Sequence, residues 1–321
     1  MRVAVIGAMG HIGTYLVPRL AAAGHEVIAV SRGGREPYHR PPVWDTVQRV
    51  KIDREEAEGR HAFGREIAAL EADAVIDLIL FHPDSLPQLL EALEGRTRHY
   101  LYCGTMWVYG PTEMAPTTEN EPRRADQEYG QNKARIEEML IEASLGGRLA
   151  STVLHPGHIV GPGWAPINPA GNLDLGVFER LGRGEPVNLP DTGLATLHHV
   201  HADDVAQAFE LALANPAASI SQSFNVVSPA ALTLRGYCRA VAGWFGHEAD
   251  IRCLSWPEWK ATVEENAAEE TWEHIRHCPV GSIEKARRLL GFSPRYSSLQ
   301  AVREALAWLI RHGRVHLPPL D

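Results

Sequence analysis

A phenol and an ammonium stand four residues apart in Tyr129-Gly130-Gln131-Asn132-Lys133. On a helix, positions i and i+4 share a face, so the two groups meet. A phenol titrates near pH ~10 and is a poor base at neutral pH, but a neighbouring cation favours its phenolate. Tyr129 can then take a proton from an alcohol or return one to a carbonyl oxygen, which is general acid–base chemistry. A tyrosine beside a lysine is also ordinary on an amphipathic helix, so the pair needs a context. Thr105, in Cys103-Gly104-Thr105-Met106-Trp107-Val108-Tyr109-Gly110, supplies one, because it follows a run that reads as a buried strand. At the carboxyl edge of an open α/β sheet, where ligands bind, its hydroxyl can stabilise charge developing on a substrate oxygen. Its competing role there is to cap a turn.

Near the N-terminus, Gly7-Ala8-Met9-Gly10-His11-Ile12-Gly13 is a GxxGxxG placed between an apolar run and a helical pattern. Glycines there permit a tight turn, close approach of backbone to a pyrophosphate, and close helix–strand packing, while the helix N-terminus offers N–H groups to the anion. This predicts dinucleotide binding through Gly7, Met9, Gly10, His11, Ile12 and Gly13. The second strand ends in Ser31-Arg32, where NAD-selective units usually place an acid. A hydroxyl and a guanidinium suit a 2′-phosphate, so NADP(H) is expected, with NAD as the alternative. Gly33-Gly34 could equally leave Arg32 pointing into solvent. Asp53, after the third strand, is expected near the adenine.

These residues need a scaffold. Apolar runs at 3–6, 27–30, 50–52, 74–80, 99–103 and 151–154 alternate with helical patterns at 12–20, 63–70, 86–93 and 132–143. Such alternation predicts an α/β fold with a doubly wound parallel sheet. From Gly161-Pro162-Gly163 to Gly171 the chain is rich in Pro, Gly and Asn and reads as a loop over the active site. Helices near 234–245 and 299–311 would belong to a smaller lobe, with 203–214 returning to the first domain. The expected division is 1–165 with 195–228 for dinucleotide binding, and 166–194 with 229–321 for the substrate.

Composition narrows the function. The 321 residues are 45% hydrophobic and 22% charged, as in ordinary globular chains. A net charge of −9 with scattered cations disfavours nucleic acid as a partner. Cys103, Cys238, Cys253 and Cys278 form no CxxC pair, which argues against a disulfide framework or thiolate zinc site and fits a cytoplasmic protein. Neither a signal segment nor an apolar stretch of the roughly 20 residues a membrane span needs is visible. A soluble, unprocessed chain is expected.

Taken in order, the motifs resemble the extended short-chain dehydrogenase/reductases, the group that contains nucleotide-sugar epimerases and dehydratases. GAMGHIG is similar to that family's TGxxGxxG, CGTMWVYG to its SSxxVYG, YGQNK to its YxxxK, and HPGHIVGPG to its RPxNxxGPG. His201 to Ala206 resembles HVxDVA, and Ser282 to Tyr296 resembles SxxKARxxLGFxPxY. The resemblance implies a Rossmann-type sheet with a smaller C-terminal substrate-binding lobe. It implies that Tyr129 is the acid/base, that Lys133 binds the nicotinamide ribose and lowers the tyrosine pKa, and that Thr105 occupies the usual serine position. It also implies cofactor contacts at Leu80 and His155, substrate contacts at Thr105, Trp107, His158, Trp164 and Asn172, and a homodimer as an option.

The chain departs from the pattern where nucleotide sugars are held. His155 and His158 replace the Arg and Asn of RPxN, Leu197-His198-His199 replaces an Arg-Asp-aromatic run, and Asp77-Leu78-Ile79-Leu80 replaces HxAA. A substrate with less charge than a nucleotide diphosphate follows. His198, His199 and His201 invite a metal reading, but no Cys, Asp or Glu spacing completes a site, so no metal is expected. Asn168, in the same loop as Trp164, could contact substrate or only pack the loop. The enzyme expected acts at a hydroxyl-bearing carbon or ketone of a small molecule. The competing class is an NADP(H)-binding sensor or RNA-associated relative without turnover, against which the complete Thr-Tyr-Lys set argues.

Overall fold

The computed structural model describes residues 1–320. Its first half alternates strand and helix as the sequence predicts: β1 (Arg2–Ile6), α1 (His11–Ala22), β2 (Glu26–Ser31), β3 (Gln48–Lys51), α2 (Arg54–Gly59), α3 (Phe63–Ala68), β4 (Ala74–Asp77), α4 (Leu86–Leu93), β5 (His99–Cys103), α5 (Glu128–Leu145) and β6 (Ser151–Pro156). There follow β7 (His158–Val160), α6 (Gly176–Gly182), β8 (Val187–Pro190), β9 (Thr196–Leu197), β10 (His199–His201), α7 (Ala202–Ala214), α8 (Pro216–Ser219) and β11 (Gln222–Val226). The last part contains β12 (Leu232–Thr233), α9 (Leu234–Trp244), β13 (Ile251–Leu254), α10 (Trp256–Lys260), α11 (Glu265–His277), α12 (Glu284–Leu290) and α13 (Ser298–Arg311).

Seven strands form one parallel sheet in the order β11-β6-β5-β4-β1-β2-β3. The order reverses between β1 and β4, and at such a switch point the loops leave in opposite directions and open a crevice at the carboxyl edge. Strands β1, β4 and β5 are buried along nearly their whole length, which explains their continuous apolar runs. Both faces of the sheet are covered. One buried core joins α1 and α7 to the sheet through Leu16, Val205 and Phe209, and the other joins α4 and α5 through Leu90, Ile136 and Leu140.

A third core, built on Phe178, Leu234, Tyr237, Trp259, Val302 and Leu306, makes the smaller lobe. Its boundaries differ from the division expected from sequence. Helix α12, assigned to the lobe, buries Ile283, Ala286, Leu290 and Phe292 in the first core, whereas Leu197, assigned to the dinucleotide domain, lies in the lobe core. An amphipathic pattern reveals that a helix has a buried face but not which core receives it. Strand β4 also stops at Asp77, and residues 78–80 leave the sheet to form part of the crevice wall. The 161–171 segment is irregular, as expected.

Candidate active site

Two adjoining cavities, of about 540 and 590 Å³, run along the carboxyl edge and share Gly7, Gly10, Arg35, Ile79 and Phe81. The outer one is bordered by Met9, Ser31, Arg32 and Asp53, the inner one by His11, Ile12, Thr105, Trp107, Tyr129, Lys133, His158 and Trp164. Sequence-distant groups therefore meet along one groove.

The glycine turn is shaped by close contact. Gly7 has φ +85°, and a Cβ there would stand 2.8 Å from Ile79 Cγ2. At Gly13 a Cβ would stand 2.2 Å from the Ala8 carbonyl oxygen, so this glycine packs α1 against the turn and does not border the groove. Gly10 caps α1 without a side chain, and the first turn holds no acid. The free N–H groups there and the helix dipole suit an anion, which is the fit a dinucleotide pyrophosphate requires. Asp53 also caps α2, accepting from the Glu56 amide at 3.2 Å.

Helix α5 begins at Glu128, so Tyr129 lies in its first turn and Lys133 one turn on. Lys133 is fully buried, and its Nζ donates to the carbonyls of Leu80 and Cys103, each at 2.9 Å. Those bonds pin the segment that follows β4 to the end of β5 and leave one ammonium hydrogen for another acceptor. Burial, only partly offset by Cys103 and Asp77, lowers its pKa to about 8. Nζ lies 5.8 Å from the centre of the Tyr129 ring. Burial, reinforced by Cys103, raises the Tyr129 phenol to about 12, while the Thr105 side chain favours the phenolate. Thr105 itself accepts from the Trp107 amide at 3.3 Å, so it caps a turn and borders the groove at once.

Beyond Tyr129 the wall is largely aromatic. Trp107 stacks on His277 with ring centres 4.7 Å apart, His158 meets His274 edge-on at 4.9 Å, and Trp164 stacks on His11 at 5.0 Å. Burial first, then neighbouring histidines, pushes His158 well below its ordinary pKa, so it is a neutral imidazole. His274 and His277, one turn apart on α11, escaped the sequence reading although their spacing puts them on one face. Arg35 escaped it too.

Besides Gly13, three residues expected as contacts lie off the groove. Leu80 has its side chain in the α4/α5 core and its carbonyl on Lys133, and the neighbouring Ile79 and Phe81 border the groove instead. His155 is fully buried beneath Gly104 and Thr105, where its Nδ1 accepts from the Thr105 amide at 3.2 Å. Asn172 is buried away from the groove, donating to Thr271 Oγ1 at 3.0 Å and accepting from the Asp174 amide at 3.0 Å, and it shares this loop-locking network with Asn168. Its polar atoms are used up in holding the loop to α11.

His198 and His201 hold structure: His198 accepts from the Gly281 amide at 3.0 Å, and His201 caps α7 through the Asp203 amide at 3.0 Å. No group of three or more His, Cys, Asp or Glu arranged for a metal occurs among the described residues. No described helix is long and apolar enough to cross a membrane.

A switch-point groove with an uncapped helix terminus at one end and a Tyr-Lys pair at the other defines a dinucleotide-binding oxidoreductase. The family model for the NAD dependent epimerase/dehydratase family matches residues 3–226, and the chain belongs to that family. It is 29% identical, over 98% of its length and 86% of the relative's, to 2′-dehydrokanamycin reductase of Streptomyces kanamyceticus. Among solved structures it is similar to the UDP-glucose 4-epimerase of Thermotoga maritima, with a TM-score of 0.74 and 20% identity over 97% of this chain and 99% of that one. The UDP-glucose 4-epimerase of Thermus thermophilus, solved with NAD, gives 0.71 and 22% over 96% and 98%. The protein is an NAD(P)-dependent enzyme of the epimerase/dehydratase type.

Proposed function

We propose that the protein is an NADP(H)-dependent reductase, reversibly a dehydrogenase, for a carbonyl or hydroxyl carbon of a small molecule that carries no nucleotide diphosphate. The observation that carries this reading is the convergence of Tyr129, Thr105 and Lys133 on one groove whose far wall holds no carboxylate among the described residues. A bound nicotinamide would supply or accept the hydride. In reduction, Tyr129 donates its phenolic proton to the carbonyl oxygen, and the Thr105 hydroxyl hydrogen-bonds that oxygen as its charge grows. Lys133, held by two carbonyls, points its remaining hydrogen towards the cofactor ribose and keeps a positive charge beside the phenol.

Among the described residues the inner cavity has two cations on its wall: Arg35, shared with the outer cavity, and Lys133, whose Nζ is tied to two carbonyls. A diphosphate at the substrate end would therefore be poorly paired. Indole and neutral imidazole faces suit the C–H surface and hydroxyls of an uncharged or amine-bearing ring, and Trp107, His158 and Trp164 are the substrate-facing residues. The relationship to a 2′-dehydrokanamycin reductase points the same way. Ser31, Arg32 and Arg35 at the outer cavity support the 2′-phosphate. The NAD in the Thermus neighbour does not bear on this choice, because likeness at 22% identity speaks only to fold.

The test is titration with NADPH followed by a screen of ketones, 2′-dehydrokanamycin among them, for loss of nicotinamide absorbance. Turnover of an amine- or hydroxyl-bearing ketone is expected. Tight NADPH binding with no turnover on any ketone would favour a sensor, and micromolar binding of UDP-glucose by calorimetry would refute the uncharged substrate.

A further inference from the structure

Building on the proposed roles of Tyr129 and Thr105, we infer that His155 is a positioning residue: hydrogen-bonded to the Thr105 loop and packed against Glu137 of α5, it fixes Thr105 relative to Tyr129. Its Nδ1 lies 3.2 Å from the Thr105 amide, and its Nε2 lies 3.1 Å from Glu137 Oε1. Glu137 is two turns beyond Tyr129 and one beyond Lys133, on the same buried face of α5. The imidazole thus lies between the two segments that carry the site's hydroxyls, hydrogen-bonded to the Thr105 loop and in contact with Glu137, from behind and out of reach of either ligand.

The protonation pattern follows from its neighbours. Arg123 binds both oxygens of Glu137, at 2.6 and 2.8 Å, and the Ser223 hydroxyl donates to one of them at 2.5 Å. Although burial opposes it, the charged and hydrogen-bonding neighbours of Glu137 hold it well below the usual carboxylate range. A carboxylate facing Nε2 calls for a hydrogen there, and a neutral ring then presents a bare Nδ1, the only form that can accept the Thr105 N–H. Packing allows little else, since a Cβ on Gly104 would stand 2.5 Å from Nδ1 and Tyr109 lies edge-on at 5.9 Å. The Arg that the family pattern places at 155 has donors only and could not take that amide. The Arg-to-His departure therefore changes what this position does.

Two near-isosteres separate the ring's two ends. An asparagine oxygen can overlay Nδ1 and still accept from Thr105, whereas glutamine reaches Glu137 but leaves the Thr105 amide without its acceptor. The experiment uses the full chain with NADPH, following reduction of the activated diketone 9,10-phenanthrenequinone and recording nitrogen-15 histidine spectra in which His155 is assigned by its loss in His155→Asn. A bare Nδ1 with protonated Nε2 is expected at pH 6–8. His155→Gln should lower kcat at least tenfold with the NADPH Kd within twofold of wild type, and His155→Asn should recover to within about threefold. A protonated Nδ1, an unchanged rate in His155→Gln, or equal loss in both variants would overturn the positioning role. Tyr129→Phe is the control: if it turns over normally, the reading of the site itself fails, whereas an inactive Tyr129→Phe beside a normal His155→Gln removes only the role of His155.

Discussion

Arg32 and Arg35 have no carboxylate partner among the described residues, whereas Arg40 and Arg49 nearby are both tied to Glu36. Two unpaired guanidiniums bordering the outer cavity, next to the Ser31 hydroxyl, are what a 2′-phosphate needs. Wild type should therefore bind NADPH more tightly than NADH, and Arg32→Ala should remove most of that gap, on the order of 1–3 kcal/mol for a charge-assisted contact. Equal affinities in wild type would contradict this. At this scale the groups with rigid spacing were legible in sequence: Tyr129 and Lys133 by helical register, Thr105 by its place after a strand. Leu80 and His155 were not, because sequence does not say which side of the backbone faces the groove. Asn172 looked available in a loop, yet its amide is consumed by Thr271 and Asn168, a partner set formed only by tertiary contact with α11.

Helix α1 does its work through its first turn, and that turn depends on the Ala8–Gly13 contact. Replacing Gly13 by Ala puts a methyl 2.2 Å from the Ala8 carbonyl oxygen, which the backbone must relieve by shifting α1 away from β1. A loss of about 1–3 kcal/mol of stability is expected, together with weaker cofactor binding. Gly59→Ala is the control, because its Cβ would meet nothing within 4 Å and its backbone is ordinary. Unaltered melting and NADPH affinity in Gly13→Ala would show that the close packing is dispensable. Strands β1, β2 and β4 were readable because burial on both faces makes them nearly uniformly apolar. Strand β11, Gln-Ser-Phe-Asn-Val, was not, since its polar side chains are satisfied by partners far in sequence: Ser223 by Glu137, and Asn225 by Tyr109 and Thr117.

For the whole molecule, an unusual share of histidine is buried in neutral form. Burial lowers His11 and His199 to about 3 and His99 and His198 to about 4. Each is protonated near pH ~6.5 in the unfolded chain, so between roughly pH 4 and 6.5 the unfolded state binds more protons than the folded one. Their contribution to stability is complete above the unfolded value and is lost as pH falls towards the folded ones. Glu137, also depressed in the fold, adds loss in the same direction at lower pH. Tm should fall steeply from pH 7 to 4.5, with uptake of about four protons by these histidines on unfolding at pH 5. A flat Tm across that window would mean that they are hydrated or already charged in the fold. The chemistry itself is tested most directly by comparing wild type with Tyr129→Phe in NADPH-dependent reduction of the best ketone, alongside NADPH binding. The variant keeps the ring and its edge-on contact with Trp107 but lacks the proton-transfer oxygen. Turnover should drop at least a hundredfold, with cofactor affinity within twofold of wild type. A rate within about tenfold of wild type, roughly 1.4 kcal/mol in barrier, would contradict the assignment of Tyr129 as the acid and base.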